Sequence, residues 1–348
     1  MSAPSAALSG TEFLVVDEFL KTLVDARALK SALDIGLIDR LEERGAGAAS
    51  AAAVVTGLDL AGSRLLLDLL IANNVLREDK GDVRLTPRFR TALRYRDLLE
   101  IKLDYAAFAM EDFTNLFDPL VRSAGLFQER ARIFDLFDYR RALSAEGENY
   151  LRTRQWMRIV SVLTHHEAVA CLDRFDISGF RRMLDIGGNS GEFARRFCER
   201  NPGLRGTVFD LPLVCDVGLE HVLPSREAER IGFIRGDARS DPFPEGYDLI
   251  TFKSMLHDWP GTDATRFVEK AVRALAPGGS LMIFERGELR LNGVTPPWSM
   301  LPNLLFFRSY RPPETYMRVM LEAGLQDVRR MDVELDSIFH IVSGRKPR

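Results

Sequence analysis

Apolar residues recur at helical spacing through the first hundred positions. Phe13, Val16, Phe19, Leu20, Leu23 and Val24 share one face, and the pattern continues as amphipathic helices over 28–41 and 64–73. A small-residue stretch at 46–50 reads as a linker into 51–56. Between 75 and 87 the pattern becomes two short strands around Asp79-Lys80-Gly81-Asp82. Three helices and a hairpin make a winged-helix arrangement. From about 98 to 175 the chain reads as helical and rich in aromatics, among them Phe137, Tyr139, Tyr150 and Trp156.

The pattern then changes. Short apolar runs at 182–186, 206–210, 231–234, 247–253 and 280–285 alternate with helical stretches, predicting an α/β domain built on a parallel sheet. The first run ends in Asp185-Ile186-Gly187-Gly188-Asn189-Ser190-Gly191, with a helix opening near Glu192. A strand that breaks into glycines and then a helix lets backbone approach a ligand, where the next helix presents unpaired N–H groups. Taken alone the glycine pattern is weak, because it lacks a middle glycine. The second strand sharpens it by ending in Asp210, roughly where an acid grips a ribose diol in nucleotide-type sites.

Composition narrows the remaining choices. A chain of 348 residues with 46% hydrophobic content suits two domains, and a net charge of −3 offers no global attraction to nucleic acid or anionic membrane. Residues 1–100 hold 13 Lys/Arg against 15 Asp/Glu, the wrong balance for phosphate binding. Only 77–96 is basic, with seven cations and three acids. Cys171, Cys198 and Cys215 have no paired spacing, so neither disulfides nor a zinc site is expected. His165 and His166 are adjacent, point to different sides of a helix, and do not suit one metal. The first ten residues lack a signal-peptide pattern and no apolar run approaches 18 residues, so a soluble cytoplasmic protein is expected.

Five motifs occur in order: Leu184-Asp185-Ile186-Gly187-Gly188, Phe209-Asp210-Leu211-Pro212, Gly236-Asp237, Leu256-His257-Asp258-Trp259 and Ala276-Pro277-Gly278-Gly279. Together they resemble the S-adenosylmethionine-dependent O-methyltransferases of the plant caffeate/isoflavone type and their bacterial natural-product relatives. The likeness extends over most of the chain. It implies a winged-helix-like dimerisation domain over 1–97, a helical connector and pocket wall over 98–175, and a Rossmann-like class I methyltransferase domain over 176–348. S-adenosyl-L-methionine is the implied cofactor, and a homodimer with an aromatic small-molecule substrate is the implied assembly.

The resemblance also assigns residues. Asp185, Gly187 and Gly188 would bind the cofactor, with Gly187 passing the methionine moiety; Asp210 would take both ribose hydroxyls, and Leu211 would pack on adenine. Asp237 and Ala238 would lie by the adenine amino group, and the Lys253 backbone by the sulfonium. Methyl transfer to a phenol needs a base near neutral pH, which suits imidazole. His257 is that base, Glu285 its orienting partner, and Asp258 an acceptor-side carboxylate. Trp156, Met157, Leu301, Leu305 and Tyr310 would line the acceptor pocket. Tyr310 stands where the family's second orienting acid falls, and Asn189 and Ser190 replace the usual Gly and Thr.

The apolar stretch 299–307 favours a phenolic or polyketide-like acceptor over a charged small acid. Two alternatives stay open. The same fold and cofactor could serve C-methylation, hydroxylation, decarboxylation or a pericyclic reaction. A non-enzymatic winged-helix regulator is the other, and it predicts a basic recognition helix and a ruined catalytic centre.

Overall fold

The computed structural model describes residues 10–44, 47–48, 57–136, 138–144 and 147–348. Of the expected linker, only Gly47–Ala48 lies within the described residues; the 51–56 stretch and Phe137 lie outside them. The chain divides into two units, one comprising 1–117 with 291–305 and the other 118–290 with 306–348.

In the first unit, a 3-10 helix (Glu12–Phe19) precedes α1 (Leu23–Asp34) and α2 (Leu37–Arg44). The single helix expected over 28–41 is therefore two. Gly36 adopts φ +73° between them, a left-handed turn that breaks the helical path. Thr22 and Asp25 close a reciprocal capping box that starts α1. After α3 (Leu60–Ala72), β2 (Leu76–Asp79) and β3 (Asp82–Leu85) form a hairpin whose turn residues Lys80 and Gly81 have positive φ. The two-residue strand β1 (Gly47–Ala48) adds to its free edge. α4 (Pro87–Leu93) and α5 (Arg96–Asn115) complete the unit, so residue 97 falls at the start of α5.

The second unit carries α6 (Asn149–Leu172), β4 (Arg182–Ile186), α7 (Glu192–Arg200), β5 (Arg205–Asp210) and α8 (Pro212–Val222). There follow β6 (Ile231–Arg235), β7 (Tyr247–Lys253), α9 (Gly261–Ala274), β8 (Leu275–Arg286) and α10 (Pro313–Glu322). β9 (Gln326–Glu334) and β10 (Ile338–Arg345) end the chain. The seven strands lie in the order β6-β5-β4-β7-β8-β10-β9. The first five are parallel, whereas β10 runs antiparallel to both β8 and β9.

Chain order reverses between β4 and β7, which opens a crevice beyond the carboxyl ends of these strands. One apolar core lies around Ile250, Phe252, Phe267 and Ile283. A second gathers Met183, Phe193, Phe197 and Phe284. Burial on both sheet faces explains why the central strands read as continuous apolar runs.

Candidate active site

The glycine turn follows β4. Gly187 has φ +67°, and a Cβ built there would stand 2.5 Å from Met255 Cγ. One on Gly188 would stand 2.6 Å from Asp185 Oδ2. Both positions therefore exclude side chains. Asn189 takes φ +55°, a conformation asparagine tolerates well, which is how this turn accommodates its departure from glycine.

Asp185 is fully buried. Its Oδ1 accepts a 2.6 Å hydrogen bond from Thr251 Oγ1, while its Oδ2 has no hydrogen-bond partner. Burial pushes this carboxyl up to about 7 against the lowering effect of Thr251. Asp210 closes β5 and stays partly accessible. Its oxygens accept the backbone N–H groups of Asn189 and Leu211, both at 2.8 Å. Burial raises it to about 6, opposed by those two donors. Each Asp210 oxygen retains a lone pair for a further donor.

The other assigned cofactor residues are placed as follows. Leu211 is buried at the start of α8. Asp237 is bound to Arg239, whose guanidinium also lies 5.4 Å above the Trp259 ring. That pairing holds the Asp237 carboxyl below its usual range despite partial burial. The buried Ala238 accepts a hydrogen bond on its carbonyl from Lys270. Lys253 ends β7 with its ammonium 2.5 Å from Glu167 and 3.0 Å from Thr164, both on α6.

His257 lies on a 3-10 turn, Leu256–Asp258, directly beyond β7. Its Nδ1 is 2.7 Å from Glu285 Oε2 on β8. The other oxygen, Glu285 Oε1, accepts the backbone N–H groups of Met255 and Leu256 at 2.9 and 2.7 Å. On its other side, His257 Nε2 stands 3.3 Å from Asp258 Oδ1, and Tyr139 donates its hydroxyl to Asp258 Oδ2 at 2.7 Å. Burial works to lower the His257 pKa, but the carboxylates of Glu285 and Asp258 outweigh it and leave the imidazole above its ordinary value. Asp258 is raised by burial, partly offset by His257 and Tyr139.

Tyr310 is buried with its ring 5.5 Å from that of His257, and Arg286 lies 5.9 Å from the Tyr310 ring. The carboxylates beside His257 are therefore Glu285 and its own neighbour Asp258. Trp156 and Met157 are buried on α6, Trp156 packing edge-on against Tyr139, which stacks on Trp259. Leu301 and Leu305 belong to the first unit, on a short helix that packs against α5.

Sequence reasoning missed two features. Arg311 hydrogen-bonds the carbonyls of Leu256 and Trp259. Glu192, at the start of α7, accepts from Arg195 and sits 2.8 Å from both His165 and His221. Burial would raise Glu192, but these partners hold it far below the usual carboxylate range. Arg195 shares α7 with Glu192, but the histidines and the carbonyls gripped by Arg311 come from separate elements and leave no local signal. Among the described residues no cluster of His, Cys, Asp and Glu is arranged to hold a metal, and no helix is long and apolar enough to cross a membrane.

The sheet order with a glycine turn at its switch point defines a class I methyltransferase fold. The solved structure of mitomycin 7-O-methyltransferase superposes on it with a TM-score of 0.68 over 92% of this chain and 94% of that one, at 22% identity. Residues 127–304, more than half of the chain, match the O-methyltransferase domain family, and the chain belongs to that family.

Among its relatives is the 3-hydroxy-5-methyl-1-naphthoate 3-O-methyltransferase of Streptomyces sahachiroi. The two are 34% identical over 125 residues, which is 36% of this chain and 35% of that enzyme. The match thus spans about a third of that relative's length. Acetylserotonin O-methyltransferase of Homo sapiens is 24% identical over 331 residues, 90% of this chain and 93% of that protein.

Proposed function

We propose that the protein is an S-adenosylmethionine-dependent O-methyltransferase of a phenolic or polyketide-like aromatic molecule, with His257 as the base. The observation that carries this reading is the His257–Glu285 contact of 2.7 Å at the carboxyl edge of the sheet, beside the glycine turn. The cradle suits the cofactor. Gly187 and Gly188 admit only backbone, Asp210 offers two acceptor oxygens, and the buried Asp185 Oδ2 lacks a donor. When bound, S-adenosylmethionine supplies a methyl group already made electrophilic by its sulfonium.

The remaining work falls to the chain. Glu285 accepts from Nδ1 and thereby directs the Nε2 lone pair of a neutral imidazole toward the acceptor side. Asp258 Oδ1 stands 3.3 Å from that nitrogen, and a proton shared there leaves on Asp258 when that side chain is displaced. An entering hydroxyl takes the place of Asp258 at Nε2 and gives up its proton there. Tyr139 donates to the outer oxygen of Asp258 and so supports its charge. Glu285 then stabilises the imidazolium that forms.

Dimerisation through the first unit belongs to the same proposal, supported by the exposed Leu23, Val24, Leu60 and Leu65. A DNA-binding role fits less well. In the basic stretch Arg88 pairs with Glu18, Arg94 with Glu12, and Arg96 with Asp39 and Glu100. A cytoplasmic location accords with three buried free thiols.

The test is incubation with S-adenosylmethionine and a panel of phenols and naphthols, read by mass spectrometry. An acceptor gaining one methyl on oxygen, lost in His257→Ala, is the expected outcome. Methyl on carbon, or products with no mass gain of a methyl, would replace the proposal with one of the other chemistries of this fold.

A further inference from the structure

The turn that carries His257 is poorly held by its own bonds. Its internal backbone hydrogen bonds, Asp258 N–H to Met255 and Trp259 N–H to Leu256, are long at 3.2 and 3.3 Å, and its N-cap residue Met255 supplies no side-chain cap. Ser254, immediately before it, adopts φ +49°, a conformation that costs energy for a residue with a Cβ. Nothing local explains why this segment should stand still.

Two charged side chains grip it from outside. Glu285 Oε1 takes the N–H groups entering the turn, those of Met255 and Leu256. Arg311 takes the carbonyls leaving it, with Nη1 donating to Leu256 at 2.8 Å and Nη2 donating to Trp259. The guanidinium fork spans oxygens three residues apart, which the single ammonium of lysine cannot do. Arg311 is itself anchored. Pro312 and Pro313 follow it and fix the start of α10, which carries the buried Tyr316.

We infer that Arg311 is a positioning residue for His257, acting through the main chain of the turn and not through the imidazole. This rests on the proposed role of His257 as base. Glu285 binds both the turn and the ring, so any drift of the turn also lengthens the His257–Glu285 contact. Arg311 prevents that drift. The neighbouring Tyr310, which the family resemblance places where an orienting acid falls, leaves that task to the residue beside it.

The experiment compares wild type with Arg311→Gln and Arg311→Lys in three measurements. Turnover is followed with S-adenosylmethionine and a naphthol, cofactor affinity by calorimetry, and the His257 imidazole by NMR titration, its signal assigned by loss in His257→Ala. For Arg311→Gln, kcat should fall about 10–100-fold, the scale of a small misplacement of a reacting group. Cofactor Kd should stay within about twofold, and Arg311→Lys should recover part of the loss.

The titration gives the distinctive result. The groups around His257 are Glu285 and Arg286 on β8, Asp258 on the turn, Tyr310 on the loop before α10, and Arg311 itself. The charge of Arg311, taken by itself, holds the imidazole pKa down, so only loss of the Glu285 contact can lower it in Arg311→Gln. Loss of register with Glu285 removes its raising influence, so the His257 pKa should move down in Arg311→Gln and partly return in Arg311→Lys. An unchanged titration and an unchanged kcat would overturn the inference. So would a loss confined to thermal stability with the imidazole unmoved. If no acceptor is methylated by wild type, the base assignment fails, yet the NMR shift still decides whether Arg311 holds the turn.

Discussion

The two ends of the crevice, proposed above to take the cofactor and the acceptor, are built on different principles. At the cofactor end, shape is made by backbone: two glycines that no side chain can replace, an asparagine in the left-handed region, and a carboxylate held by two N–H groups. At the acceptor end, shape is made by charge. A turn with weak internal bonds is set by Glu285 and Arg311, and its histidine sits between two carboxylates. Steric exclusion is short-ranged: at Gly188 it comes from Asp185, close in sequence, and at Gly187 from Met255 beyond β7. Electrostatic clamping draws on residues from distant elements, and it leaves the histidine tunable by its neighbours.

The largest expected effect lies at the acceptor end. His257→Ala should lower turnover by ~10²–10⁴-fold with cofactor affinity nearly unchanged, since proximity and alignment survive. Part of the loss should return at high pH, where a phenol ionises unaided. A pH–rate profile with one confirmed acceptor checks this, and near-normal turnover at neutral pH would remove the base assignment. Glu285→Gln should cost less if it only orients the ring, or more if the turn also moves.

At the cofactor end the matching change is Asp210→Ala. It should weaken S-adenosylmethionine binding by roughly 2–4 kcal/mol, two charge-assisted hydrogen bonds partly replaced by water. Calorimetry showing unchanged affinity would contradict the site. Gly188→Ala should destabilise the fold by about 1–3 kcal/mol, because its Cβ meets the Asp185 carboxyl and that strand end cannot yield. Thermal melts of the ligand-free protein measure it.

Protons give a finer contrast. Free Asp185 and Asp210 titrate at about 7 and about 6, above their ordinary 3.8, so ligand-free stability should fall as pH rises through that window. A cationic cofactor favours the carboxylates and lowers both values. Binding near pH 6.5 should therefore release protons and tighten as pH rises, which calorimetry in buffers of different ionisation heat would reveal. Binding with no proton release would mean that the cofactor leaves both carboxyls untouched.

The smallest change comes from Asp258→Asn. Removing a carboxylate that raises His257 should shift the acid limb of the pH–rate profile toward lower pH. A limb that stays in place would mean Asp258 is displaced before the proton transfer.

The sequence by itself determined the parts whose physics is local. Continuous apolar runs marked the five parallel strands. Glycines with acids at strand ends marked the cradle, because only those residues permit its backbone. Asp79-Lys80-Gly81-Asp82 marked a hairpin for the same reason. Local pattern misled where a single residue breaks a helix, as Gly36 does between α1 and α2. It was silent on β9 and β10, which join the parallel strands as an antiparallel pair at one side of the sheet.

Asp258 adjoins His257 in the chain and the family resemblance named Glu285, but tertiary structure alone decided the geometry of those contacts and brought Tyr139 and Arg311 to them. Glu285 lies 28 residues away from His257, and Tyr139 lies 119 residues from Asp258. Arg311 stands 55 residues from the carbonyl of Leu256 that it binds. No spacing rule links such positions, because the sheet, and not the chain, brings them to one edge. An imidazole's basicity is set by charges within a few ångströms, so how far these neighbours raise that of His257 was decided only by folding.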